Sequence, residues 1–558
     1  MVRKIFGFFY KETDKLHQAA FLLAFFSILS QVLAFLRDRA LAHVFGAGSD
    51  LDIYYAAFRI PDFLFVTVAS VVSLSVIVPF IIEREKQGRE SVKSFVDDIF
   101  SFFSLLIIGI SAVAFFLIPK LSPILFKGFS GEALADVVLL SRIFLLSPIL
   151  LGISNLFGSL TQAYNRFLIY AFAPVLYNAG IIFGITFLAP RFGISGVAWG
   201  VVVGSLLHVS IQIPFVIRIG LMPRWKLFFD WRSIKRVVGL SFPRTLTLST
   251  NHLSTIFLVS LASLMTAGSI SILSFSQNIS SVPLSIIGVS YSLAAFPTLT
   301  RYFSDKNIKA FAEQMALTVR HIIFWSLPVM ALFIVLRAQI VRVLLGTGRF
   351  DWNDTRLTAA ALALFAVSAL AQSLLLLFIR AFYSAGHTRK PLLINIISTL
   401  VLIASAYAAV KLYYSYPSFG YFINALLKVD DVPGTVVLML PLGYSVGTIL
   451  NAVIHWIGFE KDFGRFPRET YHTLFVSFAA AVFTGIGAYV GLHIFVSMFD
   501  IRTLWGVLFQ GLFAGVFGAL TGLLTLWLLR SGELYEFTHA MKMKFRGVEP
   551  VAENPEIV

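Results

Sequence analysis

Apolar residues along this chain neither alternate with polar ones nor recur every third or fourth position. They run on for about 20 residues at a time, on both parities, between short polar stretches. A helix needs about 20 residues to cross the roughly 30 Å of bilayer hydrocarbon. Fourteen such spans are predicted, at 18–38, 54–82, 96–119, 137–163, 168–189, 194–217, 237–266, 270–299, 314–336, 357–379, 391–413, 435–459, 472–499 and 503–529. A transmembrane barrel would show shorter segments of alternating character. The first run ends in Arg37 and Asp38 without a small-residue cleavage site, so it is expected to stay in the mature chain.

Charge orients these spans. Of 44 Lys and Arg, 29 fall in or next to segments on the N-terminal side of the membrane and 11 in or next to the opposite loops, counting Arg320 and Lys411 with the loops they adjoin, and Arg37, Arg59, Arg142 and Arg244 are assigned to spans. By the positive-inside rule both termini are expected in the cytoplasm. The exception is the 337–356 loop with four arginines, where an interfacial or re-entrant helix is expected. The net charge of +15 is thereby explained by topology and anionic lipid, leaving no reason to expect nucleic acid. With 13% charged and 58% hydrophobic residues the chain is not a soluble domain, and with no Cys it has no thiol chemistry.

Two motifs recur at nearly constant offset. Pro174-x-x-x-Asn178 opens the fifth span and Pro391-x-x-x-Asn395 the eleventh; Pro79 and Pro297 precede basic loops after spans two and eight. Six spans separate each pair, so the expected architecture is all-α and polytopic: two six-helix lobes as parallel repeats, an arrangement of transporters with a central cavity, plus a C-terminal helix pair. The expected segments are 1–17, cytoplasmic; 18–217, the N-lobe; 218–236, a cytoplasmic linker; 237–459, the C-lobe; 472–529, spans thirteen and fourteen; and 530–558, a cytoplasmic tail disordered over 548–558.

Enzyme chemistry finds little support. Gly346-Thr-Gly348-Arg lacks the Lys of a P-loop. Asp50 and Asp52 form a D-x-D without an extramembrane domain to use it, and His43, His208, His252 and His321 lack metal-ligand spacing and read as helix–helix hydrogen-bond partners. Intramembrane charge is what stands out, because a buried Arg needs a partner or a wet cavity. Arg37 and Asp38 end span one, Arg59 and Asp62 flank Pro61 in span two, and Arg142 lies early in span four, where it can snorkel to the interface. Arg37, Asp38, Asp52 and Arg59 also fit a structural ion-pair network. Span seven carries Arg244, Thr245, Thr247, Ser249, Thr250, Asn251 and His252, too polar a run for a lipid-facing helix. Such a cavity suits an anionic headgroup, since guanidinium offers a bidentate fork and keeps its proton.

At these residues the chain resembles the MurJ/MviN lipid II flippases of the multidrug/oligosaccharidyl-lipid/polysaccharide exporter superfamily. The matching stretches are Ser30-Gln-Val-Leu-Ala-Phe-Leu-Arg-Asp38, Phe45-Gly-Ala-Gly48 leading to Asp52, Ala57-Phe-Arg-Ile-Pro61, Asn165-Arg-Phe167, Ala171-Phe-Ala-Pro174, Arg191-Phe-Gly193, Gly196-Val-Ala-Trp-Gly200, Gly348-Arg-Phe350 with Asp354-Thr355, Arg380-Ala-Phe-Tyr383 and Thr388-Arg-Lys-Pro391. The resemblance implies a cationic cavity between spans one, two, seven and eight, and a groove at spans thirteen and fourteen for a lipid tail. Of the cavity arginines it places in spans one, two and eight, only Arg37 is present; the other positions read Gln31, Phe65 and Asn278.

The expected activity is therefore that of a non-enzymatic lipid flippase in a bacterial cytoplasmic (inner) membrane. It would move lipid II, an undecaprenyl-diphosphate-linked peptidoglycan precursor, outward by alternating access. Arg37, Arg59 and Arg244 would hold the diphosphate, Gln31, Asn251 and Asn278 would offer hydrogen bonds, and Asp52 would pair with an Arg in one state. No cofactor is expected beyond a coupling ion, sodium or proton, that the residues do not specify. The expected partners are the glycolipid, membrane lipids and cell-wall synthesis proteins. Alternatives are a flippase for another polyprenyl-linked glycan, a transport-inactive scaffold for cell-wall synthesis, and a glycosyltransferase using Asp50 and Asp52.

Overall fold

The structure is a computed structural model describing residues 16–69 and 74–545. The tail over 548–558 and most of the N-terminal segment 1–17 lie outside the described residues. Among the described residues there are helices and no strands. In chain order these are α1 (Leu16–Phe45), α2 (Ser49–Ala69), α3 (Leu74–Glu85), α4 (Arg89–Leu125), α5 (Gly131–Phe144), α6 (Leu146–Ala163), α7 (Phe167–Phe183), α8 (Ile194–Ser210), α9 (Ile213–Arg218), α10 (Trp231–Ser263) and α11 (Ser269–Pro283). There follow α12 (Ser290–Ser304), α13 (Ile308–Val335), α14 (Arg337–Leu345), α15 (Trp352–Val367), α16 (Ala369–Ser384), α17 (Arg389–Ser415), α18 (Pro417–Leu427), α19 (Met439–Phe463), α20 (Arg468–Phe495), α21 (Leu504–Leu528) and α22 (Gly532–Phe545). Helix dominates because a bilayer cannot hydrogen-bond the backbone, so each spanning segment must satisfy its own.

Among the described residues ten helical segments are long and apolar enough to cross a membrane, and an eleventh if α15 and α16, bent by 43° at their junction, form one broken span. These coincide with expected spans three to six and eight to fourteen. The other three expected spans fall on α1, on α2 with α3, and on α10, the helices that carry Arg37, Asp38, Arg59, Asp62 and the polar run of span seven. The arginine-rich 337–356 loop contains the helix α14, as its charge led one to expect. Short π-helical turns at Gly184–Leu188 and Leu284–Val289 interrupt the fifth and eighth spans.

The described chain divides into two compact units. The first holds residues up to Phe275 with Leu344–Thr358 and Asn395–Gly443, and the second holds Ser276–Val343, Ala359–Ile394 and the residues from Tyr444 on. The core of the first gathers Phe80, Phe95, Phe103, Phe157 and Leu160, with Phe80 stacked on Phe95 at 5.7 Å. The core of the second gathers Phe311, Phe378, Phe382, Phe459 and Phe466.

Lipid tails are as apolar as leucine, so helices in a bilayer associate through close backbone approach at small residues. In the first unit α7 and α8 do this: a Cβ on Gly180 would stand 2.3 Å from the Cα of Gly204, and one on Gly200 2.6 Å from the Cα of Gly184. The second unit repeats the device between α20 and α21, where a Cβ on Gly487 or Gly522 would lie 2.0 Å from the hydroxyl of Thr521 or Thr484. Large apolar side chains such as Phe116, Phe187 and Phe475 are left exposed, as a lipid-facing surface requires.

Candidate substrate site

The site begins with Arg37, near the end of α1. Its Nε and Nη2 donate to Oδ1 of Asp38 at 2.9 and 2.7 Å, and its Nη1 donates to Oδ1 of Asn178 on α7 at 3.1 Å. Asn178 is itself oriented, because its amide donates to the carbonyls of Pro174 and Ser30 and to the Ser30 hydroxyl, which leaves its oxygen facing Arg37. Proline lacks an N–H and distorts the turn around it, and here the Pro174 carbonyl is the acceptor that fixes Asn178. Asp38 is buried, whereas 21% of the Arg37 side chain remains exposed, so the cation is steered by its partners without being sealed.

One helix on, Arg59 donates from Nη2 to the Ser274 hydroxyl at 3.0 Å, while its Nε is buried with no hydrogen-bond partner among the described residues. Tyr55, a turn earlier on α2, lies within electrostatic reach of both Arg37 and Arg59. Three residues further on, Asp62 pairs with His252 of α10 at 3.2 Å, and a turn on Thr67 shares a hydrogen bond with Ser249. A cavity of about 190 Å³ opens here, lined by Phe58, Pro61, Asp62, Phe65, Phe144, Ser147, Pro148, Leu151 and Tyr177. The α2 face towards α10 is therefore polar and the cavity beside it largely apolar.

Not every expected residue joins this cluster. Gln31 on α1 and Asn251 on α10 are exposed, outside the Arg37 hydrogen bonds. Asn278 belongs to the second unit. Arg244 sits in α10, but its side chain lies outside the described residues. Of the remaining histidines, His208 and His321 find helix–helix partners, Ser154 at 2.6 Å and Glu536 at 3.4 Å, whereas His43 meets Thr347 in the loop after α14 at 3.0 Å. Arg142 lies 4.3 Å above the Phe115 ring and donates to its carbonyl.

Asp52 stands at the other end of α2, and in this structure it meets no arginine among the described residues. One oxygen accepts from the Gly268 amide at 2.7 Å, the other from the Ser271 amide and hydroxyl at 2.8 and 2.7 Å. Asp50 is exposed, so the D-x-D pair does not present two carboxylates to one ion. The loop beside Asp52 is tied again: the Ala47 amide donates to Asp354 at 3.1 Å, and the Arg349 amide to the His43 carbonyl at 3.0 Å. Gly268 and Gly348 make this closeness possible, both at positive φ and so close that a Cβ would lie 2.2 Å from the Ala47 oxygen or 2.3 Å from the His43 oxygen. The turns after α1, after α10 and after α14 are thus laced into one hydrogen-bonded latch.

Sequence reasoning did not foresee three contacts of the site, Arg37 with Asn178, Asp62 with His252 and Asp52 with Ser271. Asn178 carried a signal, as half of a repeated Pro-x-x-x-Asn motif, yet nothing tied it to an arginine 141 residues earlier. The Asp62–His252 and Asp52–Ser271 pairs span 190 and 219 residues and have no local signature.

A family model described as lipid II flippase MurJ matches residues 41–509. The lipid II flippase MurJ of Burkholderia cenocepacia is 24% identical over 485 residues, covering 84% of this chain and 89% of that protein. The probable lipid II flippase MurJ of Buchnera aphidicola is 25% identical over 380 residues, covering 67% and 74%. A solved structure of lipid II flippase MurJ in an inward closed conformation superimposes with a TM-score of 0.70 at 20% identity, covering 93% of this chain and all of that one. An inward-facing multidrug resistance MATE transporter of the MOP superfamily gives 0.62 at 14% identity, over 78% and 94%. The two superpositions show the transporter fold, and the family match extends over most of the chain: this protein belongs to the MurJ family.

Proposed function

We propose that this multi-pass membrane protein is a lipid II flippase, a transporter and not an enzyme. It carries the undecaprenyl-diphosphate-linked precursor from the inner to the outer leaflet of the bacterial cytoplasmic membrane by alternating access. The observation that carries this reading is Arg37, a guanidinium in the first expected span that is aimed by Asp38 and Asn178 and still partly open. A diphosphate can take over hydrogen bonds that Asp38 and Asn178 now accept, exchanging one set of charge-assisted contacts for another. Arg59, with a buried Nε awaiting an acceptor, is the second cation for the diphosphate, and Arg244 the third. Gln31, Asn251 and Asn278 are assigned to the saccharide and peptide portions.

A two-state cycle needs contacts made in one state and not in the other. The latch built on Asp52 supplies them, since its hydrogen bonds hold the turns after α1 and α10 together and must break for that end to open. With both termini in the cytoplasm, as the charge bias indicates, the latch closes the outer side. An anion moving outward is favoured by about 2.3 kcal/mol per charge at 100 mV, negative inside, so the membrane potential alone can drive the step. Gln31, Phe65 and Asn278, where the family carries arginines, favour a second reading in which another polyprenyl-linked glycan is moved. Reconstitution with fluorescent lipid II beside a second polyprenyl-diphosphate glycan tests both: protection of the lipid II label from an external quencher or reagent must change only when this protein is present.

A further inference from the structure

On the side carrying the basic loops, away from the Arg37 cluster, the first unit holds a cavity of about 450 Å³. It is lined by Glu85, Arg89, Val92, Tyr164, Arg166, Phe215, Arg218 and Ile219. Four separate elements contribute: the end of α3, the start of α4, the turn between α6 and α7, and the end of α9. Its floor is apolar, with Val92 and Phe215 buried. Its walls carry three arginines against one carboxylate, a net charge of +2.

Two of the arginines are held in place by contacts seen here. Arg89 donates to the Ile219 carbonyl, and Arg166 lies over the Phe215 ring at 6.0 Å, presented by the left-handed turn at Asn165. Glu85 is engaged by the Tyr164 hydroxyl. From Ile219 the linker runs along α4, tied by Lys93 to the Met222 carbonyl and by the Lys226 amide to the Ser101 hydroxyl. Where α4 turns apolar it leaves Leu227 87% and Phe228 91% exposed, beside Trp225 and Trp231. Aromatic and basic residues mixed in this way sit at membrane–water boundaries, so the pocket opens next to a segment suited to the lipid surface.

We propose that this pocket is a second anion site, distinct from the Arg37 site, that binds a phosphate-bearing group from the cytoplasmic side. Three guanidinium forks around an apolar floor match a phosphate and its adjoining carbon skeleton, and the +2 lining discriminates against zwitterionic headgroups. An anionic phospholipid of the inner leaflet and soluble phosphate share this chemistry. Binding of the lipid would tie the α3–α4 turn, the α6–α7 turn and the linker into one unit.

The test titrates the full chain in detergent with dihexanoyl-phosphatidylglycerol, with dihexanoyl-phosphatidylcholine and with inorganic phosphate, counting adducts by native mass spectrometry. Arg166→Gln and Arg218→Gln should each weaken phosphatidylglycerol binding about tenfold, the loss of one charge-assisted contact. Glu85→Gln should strengthen it, and Arg37→Ala should leave it unchanged. Phosphate competing at equal concentration would assign the site to a soluble anion; phosphate competing only in large excess would assign it to the lipid. Arg218 is exposed at the rim, so its substitution leaves folding intact, and unfolding temperatures check this. Equal binding of phosphatidylcholine, or phosphatidylglycerol binding indifferent to Arg166, Arg218 and Glu85 substitutions, would overturn the proposal.

Discussion

Replacing Asp52 by Asn probes the latch with the smallest change of shape. In the native chain one carboxylate oxygen serves the Gly268 amide and the other serves the Ser271 amide and hydroxyl. Asparagine keeps one oxygen, which can still serve Ser271 as a neutral acceptor. Its amide group then faces the Gly268 N–H, donor against donor, in a place where Asp52 is only 4% exposed. The loss is one charge-assisted hydrogen bond, about 1.5–3 kcal/mol, with a further cost of about 1 kcal/mol or more for the stranded donor. Opening of the latch should become more frequent by about 30-fold or more, at about 1.4 kcal/mol per factor of ten. The assay uses Ile270→Cys, a fully buried position one residue from Ser271, in a chain with no other Cys. Labelling by a membrane-impermeant maleimide should be slow in the Ile270→Cys protein and at least tenfold faster when Asp52→Asn is added. Equal rates in two proteins that both remain folded would refute the claim that Asp52 holds this end shut.

Other consequences follow from the same geometry. Gly180→Leu should lower the unfolding temperature by several degrees, because its Cβ would stand 2.3 Å from the Gly204 Cα and overpacking costs about 1–3 kcal/mol or more. The carboxylate of Glu533, at the start of α22, is pushed up by burial but brought below its ordinary 4.5 by hydrogen bonds from Thr473 and Ser531 and by the Arg320 charge. A depressed carboxylate stabilises the fold above its unfolded value and loses that contribution as pH falls through the folded one. Hydrogen exchange should therefore show α22 loosening below about pH 4.5 in the native chain, and already loose at pH 7 in Glu533→Gln. For orientation, Lys86→Cys and Arg465→Cys should be shielded from impermeant reagent in intact cells while Ser49→Cys and Ser418→Cys react, and labelling at Lys86→Cys from outside would reverse the topology.

Expected spans three to six and eight to fourteen were legible because a bilayer leaves the backbone no partner but itself, which favours long uniform apolar runs that any reader of the chain can count. The helix in the 337–356 loop was legible for the converse reason, since four arginines there break the charge alternation that the other loops follow. Arg37 stood out as a charge in an apolar run. The partners of Arg37, Arg59 and Asp62 did not, because Asn178, Ser274 and His252 are polar residues whose meaning lies in being brought to them from distant helices. Asp52 illustrates the limit. Its acidity suggested a cation as partner, whereas folding supplies two backbone amides and a hydroxyl, and backbone donors leave no trace in the identity of the residues that carry them. The compact units likewise cut across α11, α14, α15, α17 and α19, a division set by packing along the helices that a span-by-span reading does not contain.

The central claim is that Arg37 binds the diphosphate of lipid II, and translocation of labelled lipid II in proteoliposomes tests it most directly. Arg37→Ala should abolish translocation while yield and unfolding temperature hold, and Arg37→Lys should keep part of it, since the charge survives and the fork does not. If Arg37 serves only to neutralise Asp38, its removal strands a buried carboxylate, and the damage is relieved by neutralising that carboxylate too. The account predicts that Arg37→Ala combined with Asp38→Asn remains inactive. Recovery of lipid II translocation in that double variant would contradict it.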